Sequence, residues 1–410
     1  MSPNKNKSTR RPAGSNKVRR HRSDVSIILI TIALIAFGLV VIYAVSPVLS
    51  HRMSEDVGRN YFVYGQLRNI AVAILAFIVA SKVHWQNWRY KFLPLLIIAS
   101  SISLAMTFVP GLAITQGGAT RWVGIAGLSF QPAELVKLTV LVGLAAWFAK
   151  LQAADFKNYK MTLLPVVIVS ALVAGFILIH QRDMGTMIVI AGIIMSIFYA
   201  SGVSLYQFGV LMAAGIAFFV ANIVLFAHRM ERVKTFFNPS ENLAESGYHL
   251  HQALIAVGSG GLFGLGLGKS IQVYGYLPEA ANDSIFAIIA EMFGFVGASL
   301  VIILFSLLIY RVLIVAKNAP DSFSQLFVVG TAAWIGIQAS VNMMAMIGII
   351  PLTGIPLPFV SYGGSSLVFM MIALGIVVNI SRYTERSMVN ANSTSRRRQR
   401  RPRNTRSSRS

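Results

Sequence analysis

Apolar residues in this chain fall into long uninterrupted blocks separated by short polar stretches. Most blocks run ~17–25 residues, enough for a helix to cross a hydrocarbon core of ~30 Å. Ten such spans are predicted, near 25–46, 66–82, 92–109, 133–150, 163–180, 184–201, 207–227, 284–312, 326–349 and 360–381. The pattern predicts an all-α integral membrane protein, a polytopic bundle of about ten transmembrane helices. An even number of spans places both termini on one side.

Composition supports this reading. Hydrophobic residues make up 55% of the 410-residue chain and charged residues only 12%, about half the charged share of a soluble domain. A soluble enzyme is therefore excluded. The absence of cysteine rules out disulfides, thiolate catalysis and Cys-ligated metal. A basic segment precedes the first span, but no small-residue cleavage site follows it. The span reads as a retained helix, not a signal peptide.

The ends of the chain give the orientation. Residues 1–24 carry eight basic side chains, from Lys5 to Arg22, and the chain from Arg382 onward carries ten, so half of the 36 basic residues lie in the tails. The positive-inside bias places both tails in the cytoplasm. Three regions follow: a basic tail over 1–24, a transmembrane domain over 25–383, and an Arg-rich tail over 384–410. The tails are rich in Ser, Asn and Pro and are expected to be disordered. Their charge suits anionic lipid headgroups and is not read as a nucleic-acid site.

This topology sorts the remaining charges. Eight of the other basic residues fall on the cytoplasmic side. Ten (Arg52, Arg59, Arg68, Arg121, Lys137, Arg182, Arg229, Arg232, Lys234 and Lys269) fall outside or in the outer membrane half. Orientation alone does not produce such an excess, which points to an anionic ligand such as a phosphate or diphosphate. Single residues among them also fit simple snorkelling towards headgroups. Ionisable groups inside spans are functional candidates by default. Glu134 and Lys137, three apart, are placed to pair on one helix face, and Glu291 needs a partner inside the bundle.

The one long connection, 228–283, lies outside the membrane in this topology and is not low-complexity. Residues Gly247 to Gly261 read as a short amphipathic helix ended by glycines. Gly268-Lys269-Ser270 resembles the end of a phosphate-binding loop, but Phe263 stands where the required glycine would be. His249 and His251, two apart, point in different directions on a helix and do not suit a shared metal.

Several motifs occur in a fixed order. They are Thr120-Arg121-Trp122-Val123, Gln131-Pro132-Ala133-Glu134-Leu135-Val136-Lys137, Gln181-Arg182-Asp183-Met184-Gly185, Ala256 through Gly264, Leu277-Pro278-Glu279-Ala280 with Asp283, and Gly354 through Ser366. In these the chain resembles the SEDS family (shape, elongation, division, sporulation) over nearly all its length between the tails. The sequence around 268–280 is more similar to the division, FtsW-like branch than to the elongation, RodA-like one. Two departures stand out: Asn282-Asp283-Ser284 where Thr-Asp-Phe is usual, and Gln181-Arg182-Asp183 where Gln-Pro-Asp is usual.

The resemblance implies a peptidoglycan glycosyltransferase that joins lipid II into glycan strands on the outer face of the bacterial cytoplasmic membrane. It implies work at the division septum beside a class B penicillin-binding protein and divisome membrane proteins. It also assigns the family's essential aspartate to Asp283. The chemistry agrees, because transfer from a polyprenyl diphosphate needs a base on the acceptor hydroxyl and charge stabilisation on a good leaving group. Asp283 would be the base, although its position also suits a helix N-cap. Candidate substrate-binding residues are Arg121, Glu134, Lys137, Arg229, Arg232, Gln252, Ser259, Lys269, Ser361 and Tyr362. A divalent ion, Mg²⁺ or Mn²⁺, could help hold the diphosphate; no dedicated cage and no organic cofactor is expected. The Gly/Pro-rich segment Gly354 to Ser366 would shape a lipid groove or form a structural kink. The rival readings are a lipid II flippase and a non-enzymatic divisome scaffold.

Overall fold

The computed structural model describes residues 23–53, 58–116, 119–125, 128–237 and 246–383. Nearly all of both expected tails lies outside these residues. Twelve helices run in chain order: α1 (Val25–Met53), α2 (Tyr61–Lys82), α3 (Trp85–Phe108), α4 (Pro132–Phe148), α5 (Tyr159–His180), α6 (Met184–Ala200), α7 (Leu205–Leu225), α8 (Ala227–Phe237), α9 (Ser246–Ser259), α10 (Ile285–Lys317), α11 (Ser322–Met346) and α12 (Gly364–Ser381).

Ten of these occupy the ten predicted spans. Eight are long and apolar enough to cross a membrane. The other two, α4 and α6, are 17 residues each. Both are packed inside the bundle, and α4 carries Glu134 and Lys137. Chain breaks coincide with capping side chains: Asn158, Asp183, Ser204 and Asp321 each accept a backbone N–H in the first turn of the helix they precede.

Two features differ from the sequence expectation. Between α3 and α4, read as a plain connection, a three-stranded antiparallel sheet forms: β1 (Ala113–Gln116), β2 (Ala119–Ile125) and β3 (Leu128–Phe130). Its strands are too short for a period-2 pattern to stand out beside the long apolar blocks. The segment after α7 is also more ordered than a loop, since α8 precedes the expected amphipathic helix α9.

Helices α11 and α12 form the centre. The first packs on α10, α6 and α4, and the second on α2, while α7 sits at the rim with little of its surface covered. At one end, the Asp24 N–H donates to Ser381 Oγ (3.1 Å) and Arg311 pairs with Asp24 (2.7 Å). Trp85 Nε1 donates to Asp321 Oδ2 at 2.8 Å on the same end. These contacts gather both termini of the bundle. The sheet, α8, α9 and the segment before α12 occupy the opposite end.

A polar ladder crosses the apolar core. Lys137, 1% exposed, donates to Glu134 Oε1 (2.7 Å) and Gln338 Oε1 (3.0 Å). Trp334 Nε1 donates to the same Gln338 oxygen (3.0 Å), and Gln338 Nε2 donates to the Pro356 carbonyl (3.1 Å) and Ser366 Oγ (3.2 Å). The predicted Glu134–Lys137 pair thus exists, but it is spent on joining α4 to α11 and to the backbone before α12.

The run after α9 lies directly on α10, where Gly294 breaks the helix at φ 65°. Leu265 and Gly266 donate to the Glu291 and Met292 carbonyls (2.9 and 3.0 Å), and Phe295 and Val296 donate back to Gly261 and Leu262 (2.9 and 3.1 Å). A Cβ at Gly264 would stand 2.1 Å from the Met292 carbonyl oxygen. Backbone meets backbone here, which only glycine permits.

Two outcomes are expected from thermal unfolding in detergent. Gly264→Ala should lower the melting temperature more than Gly268→Ala, which shares the left-handed backbone but has open space around it. Lys137→Met leaves Glu134 buried and unpaired and should cost about 3–5 kcal/mol, with roughly half recovered in Glu134→Gln/Lys137→Met. Equal stability of wild type and Lys137→Met would show that the pair does not hold the core.

Candidate active site

Three irregular segments meet at the end of the bundle opposite Asp24 and Ser381. They are the turn between α5 and α6, the run 277–284 leading into α10, and the run 353–363 leading into α12. Each contains one non-glycine residue with left-handed backbone, respectively Arg182 (φ 51°), Glu279 (φ 48°) and Phe359 (φ 64°). These are the only such residues among those described. Backbone strain of this kind clusters where surrounding contacts over-determine a site.

Asparagine 342 on α11 joins two of the segments. Its amide nitrogen donates to the carbonyl of Asp283 (2.7 Å) and to that of Ile355 (2.8 Å). Tyr362 N–H adds a bond to the Ala281 carbonyl (2.8 Å). Gly185 of α6 brings in the third segment: a Cβ there would lie 2.5 Å from Ile355 Cγ2 and 2.8 Å from the Thr353 carbonyl. Between those two contacts stands Gly354, whose Cβ position faces Asp283 Oδ2 at 3.7 Å.

Asp283 is 9% exposed and its Oδ1 has no hydrogen-bond partner. It is not the N-cap of α10, a position that Ser284 takes. Burial, and then the nearby Glu279 carboxylate, push its pKa up to about 7, against opposing pulls from its own and Ser284's backbone and from Arg232. Such a carboxyl is poised to exchange a proton near neutrality.

Next to it, His249 of α9 shares a hydrogen bond between Nε2 and Ser284 Oγ (2.7 Å), and Ser284 Oγ donates to the Pro278 carbonyl (2.8 Å). Burial, and then the charge of Arg232, push the His249 pKa down to about 4. The imidazole is therefore neutral at physiological pH and holds the turn before α10. Arg232 lines a small cleft with Thr235, Phe236, Leu250, Pro351 and Leu352.

The expected substrate-binding residues divide into groups. Arg232 and Arg229 lie in one cationic field with Asp283 at its edge. Arg229 is buried, however, donating to Asn222 Oδ1 and to the Leu178 carbonyl (2.6 Å). Arg121 donates from Nε to the Gln181 carbonyl (3.1 Å) and from Nη2 to that of Arg182 (3.0 Å). Both guanidinium groups therefore cap the carbonyl end of α5, where the helix dipole favours cations.

Glu134 and Lys137 are sealed in the core ladder and join the run before α12 through Gln338. Ser361 Oγ accepts from Leu357 N–H (2.8 Å) within its own turn. Tyr362 packs edge-on against Phe62 (5.2 Å between centroids), with its phenol pKa raised by burial first and by Tyr61 next. Gln252 is half-buried on α9, while Ser259 and Lys269 are exposed. Among the described residues no three His, Asp or Glu side chains come together.

Sequence reasoning missed Asn342, and it weighed His249 only as a metal ligand without finding its bond to Ser284. The first carried a usable signal, since Gln338 and Asn342 are polar residues one turn apart inside a span. The second lacked one, because its partner Ser284 is 35 residues away in sequence.

Comparison with known proteins gives a consistent picture. The family model of the FtsW/RodA/SpoVE cell cycle proteins matches residues 24–386. Stage V sporulation protein E of Bacillus subtilis is 34% identical over 361 residues, covering 88% of this chain and 97% of its own. The probable peptidoglycan glycosyltransferase FtsW of Coxiella burnetii is 34% identical over 365 residues, covering 88% and 97%. Among solved structures, a chain of a peptidoglycan synthase complex that coordinates polymerization and crosslinking superimposes with a TM-score of 0.72 at 25% identity, covering 88% of this chain and 98% of its own. The rod shape determining protein RodA of Thermus thermophilus gives 0.62 at 25% identity, with the same coverage. With nearly the whole transmembrane region matched in sequence and in fold, this chain belongs to the FtsW/RodA/SpoVE family of cell cycle proteins.

Proposed function

We propose that this protein is a peptidoglycan glycosyltransferase that polymerises lipid II on the outer face of the bacterial cytoplasmic membrane, with Asp283 as general base. The observation that carries the reading is Asp283 itself. It is a nearly buried carboxyl with a free oxygen at the head of a membrane helix, beside a guanidinium field.

The reaction needs what this site holds. The acceptor sugar hydroxyl gives its proton to the Asp283 carboxylate as its oxygen attacks the anomeric carbon of the donor. The bond from that carbon to the diphosphate breaks, and the leaving oxygen keeps the electron pair. Arg232 is placed to offset the charge that develops there. No second carboxyl acid is required, because a diphosphate leaves without protonation, unlike the leaving groups of glycosidases.

Sidedness rests on the tails. Asp283 lies at the end opposite Asp24 and Ser381, so cytoplasmic termini put it outside the cytoplasm. The long connection 228–283 then faces outward, and the basic tails 1–24 and 384–410 meet the inner membrane surface. The synthase complex among the structural neighbours combines polymerization with crosslinking. It supports pairing with a crosslinking enzyme, here a class B penicillin-binding protein, whereas a divisome assembly at the septum rests on the motif resemblance alone.

Labelled lipid II given to the purified protein with its crosslinking partner should yield polymer. Asp283→Asn should lower the rate by roughly 10²–10⁴-fold. Equal polymer from both would remove Asp283 from the mechanism, and none from either folded protein would favour a flippase or scaffold. The pH profile follows from the sign of the Asp283 shift. With a pKa raised to about 7, the base form is scarce in mild acid. Activity should therefore climb through neutrality and level off roughly one unit above it; a flat profile across that range would exclude a base with this pKa.

A further inference from the structure

The turn Gln181-Arg182-Asp183 between α5 and α6 is held from every side. Arg121 donates to the carbonyls of Gln181 and Arg182 (3.1 and 3.0 Å), and Arg229 to that of Leu178 one turn earlier (2.6 Å). Asp183 accepts from Thr186 N (2.9 Å), Thr186 Oγ1 (2.8 Å) and Gln131 Nε2 (3.2 Å). Its carboxylate is therefore committed to capping α6 and to joining α6 with the start of α4.

In the middle stands Arg182, in a left-handed conformation at φ 51° that side chains larger than glycine rarely adopt. Its carbonyl is taken by Arg121. Its side chain is exposed, and among the described residues it makes no hydrogen bond or ion pair. Two other guanidinium groups are thus spent on shaping the turn, and the cation it displays is left over.

The turn also lies next to the reactive carboxyl. Gly185, three residues on, packs against Thr353 and Ile355, and Gly354 between them faces Asp283 Oδ2 at 3.7 Å. The charge of Arg182 is felt at Arg229, together with that of Arg232. Like charges gathered at the mouth of an apolar bundle call for an anion between them.

We propose that Arg182 is a substrate-binding residue whose guanidinium takes phosphate oxygens of the polyprenyl diphosphate, and that Arg121 and Arg229 are positioning residues that hold the turn presenting it. This rests on the glycosyltransferase reading above. It moves the diphosphate contact from Arg121 and Arg229 to a residue chosen by strain and by lack of a partner. The same chemistry would also suit a phospholipid phosphate, and the test separates the two.

The full chain, in nanodiscs with its crosslinking partner, would be assayed as wild type, Arg182→Gly and Arg182→Lys. Glycine keeps the left-handed turn and removes only the cation. Arg182→Gly should raise KM for lipid II on the order of tenfold with kcat changed less than about twofold, and should weaken inhibition by inorganic pyrophosphate in parallel. Arg182→Lys should recover most of both. The KM effect should be the same in zwitterionic nanodiscs and in nanodiscs containing phosphatidylglycerol. Unchanged KM and unchanged pyrophosphate inhibition in Arg182→Gly would overturn the proposal, as would an effect seen only with phosphatidylglycerol, which would assign Arg182 to a membrane headgroup. Asp283→Asn in the same nanodiscs keeps the two readings apart. If that variant polymerises, the glycosyltransferase mechanism fails; if it is inactive while Arg182→Gly is normal, only the role of Arg182 fails.

Discussion

The amide of Asn342 reaches two carbonyls that no helix can satisfy, those of Asp283 and Ile355. Irregular backbone at the depth of a membrane is tolerated only where its polar groups find partners. One turn earlier on α11, Gln338 does the same for Pro356 while accepting from Lys137 and Trp334. A single buried helix thus supplies the donors that let the chain stay unwound at two places, and those places form the site. Without them the runs before α10 and α12 would leave buried carbonyls unpaired, at roughly 1–3 kcal/mol each.

The strain is distributed to match. Arg182, Glu279 and Phe359, from three distant stretches of sequence, each adopt left-handed backbone and each sit in a segment framing Asp283. Each segment is held by contacts from outside it: Arg121 grips the Arg182 turn, Tyr362 N–H bonds to Ala281, and Asn342 ties both later runs together. Glycine appears where the backbone turns left-handed, as at Gly354 beside the carboxyl, and where backbones touch, as at Gly264 on α10. The result is a rigid rim around a carboxyl that burial keeps from ionising early.

Much of this architecture could be read from residues alone. Span positions followed from apolar block length, the pairing of Glu134 with Lys137 from their spacing, and α9 from its glycine-ended amphipathic run. Asp283 was singled out by motif resemblance, and the structure gives it the isolation and the free oxygen a base needs. What sequence could not supply was the destination of each cation. Arg121, Arg229 and Lys137 all read as outer positive charge, yet Arg121 and Arg229 cap α5 and Lys137 is sealed in the core. Charge type is written in one residue, whereas the carbonyl that consumes it exists only once the turn has formed. The small sheet between α3 and α4 was lost for a similar reason, since three short strands earn their pairing from neighbours and not from local pattern.

Two carboxyls near the start of α10 show how hydrogen-bond inventory separates structure from chemistry. Glu291 lies two turns inside the helix and accepts from Ser270 Oγ, from Ile271 N (2.8 Å) and from Gln272 N (3.2 Å). The partner it was expected to find inside the bundle is a hydroxyl and two peptide N–H groups, through which it pins the run 270–272 to the helix. Asp283 lies at the mouth of the same helix with its Oδ1 unpartnered. Burial pushes the Asp283 carboxyl up to about 7, and its unpartnered oxygen leaves room for a proton and for the hydroxyl that supplies it. The same helix therefore carries an anchor and a base, and the difference between them is the supply of N–H groups around each.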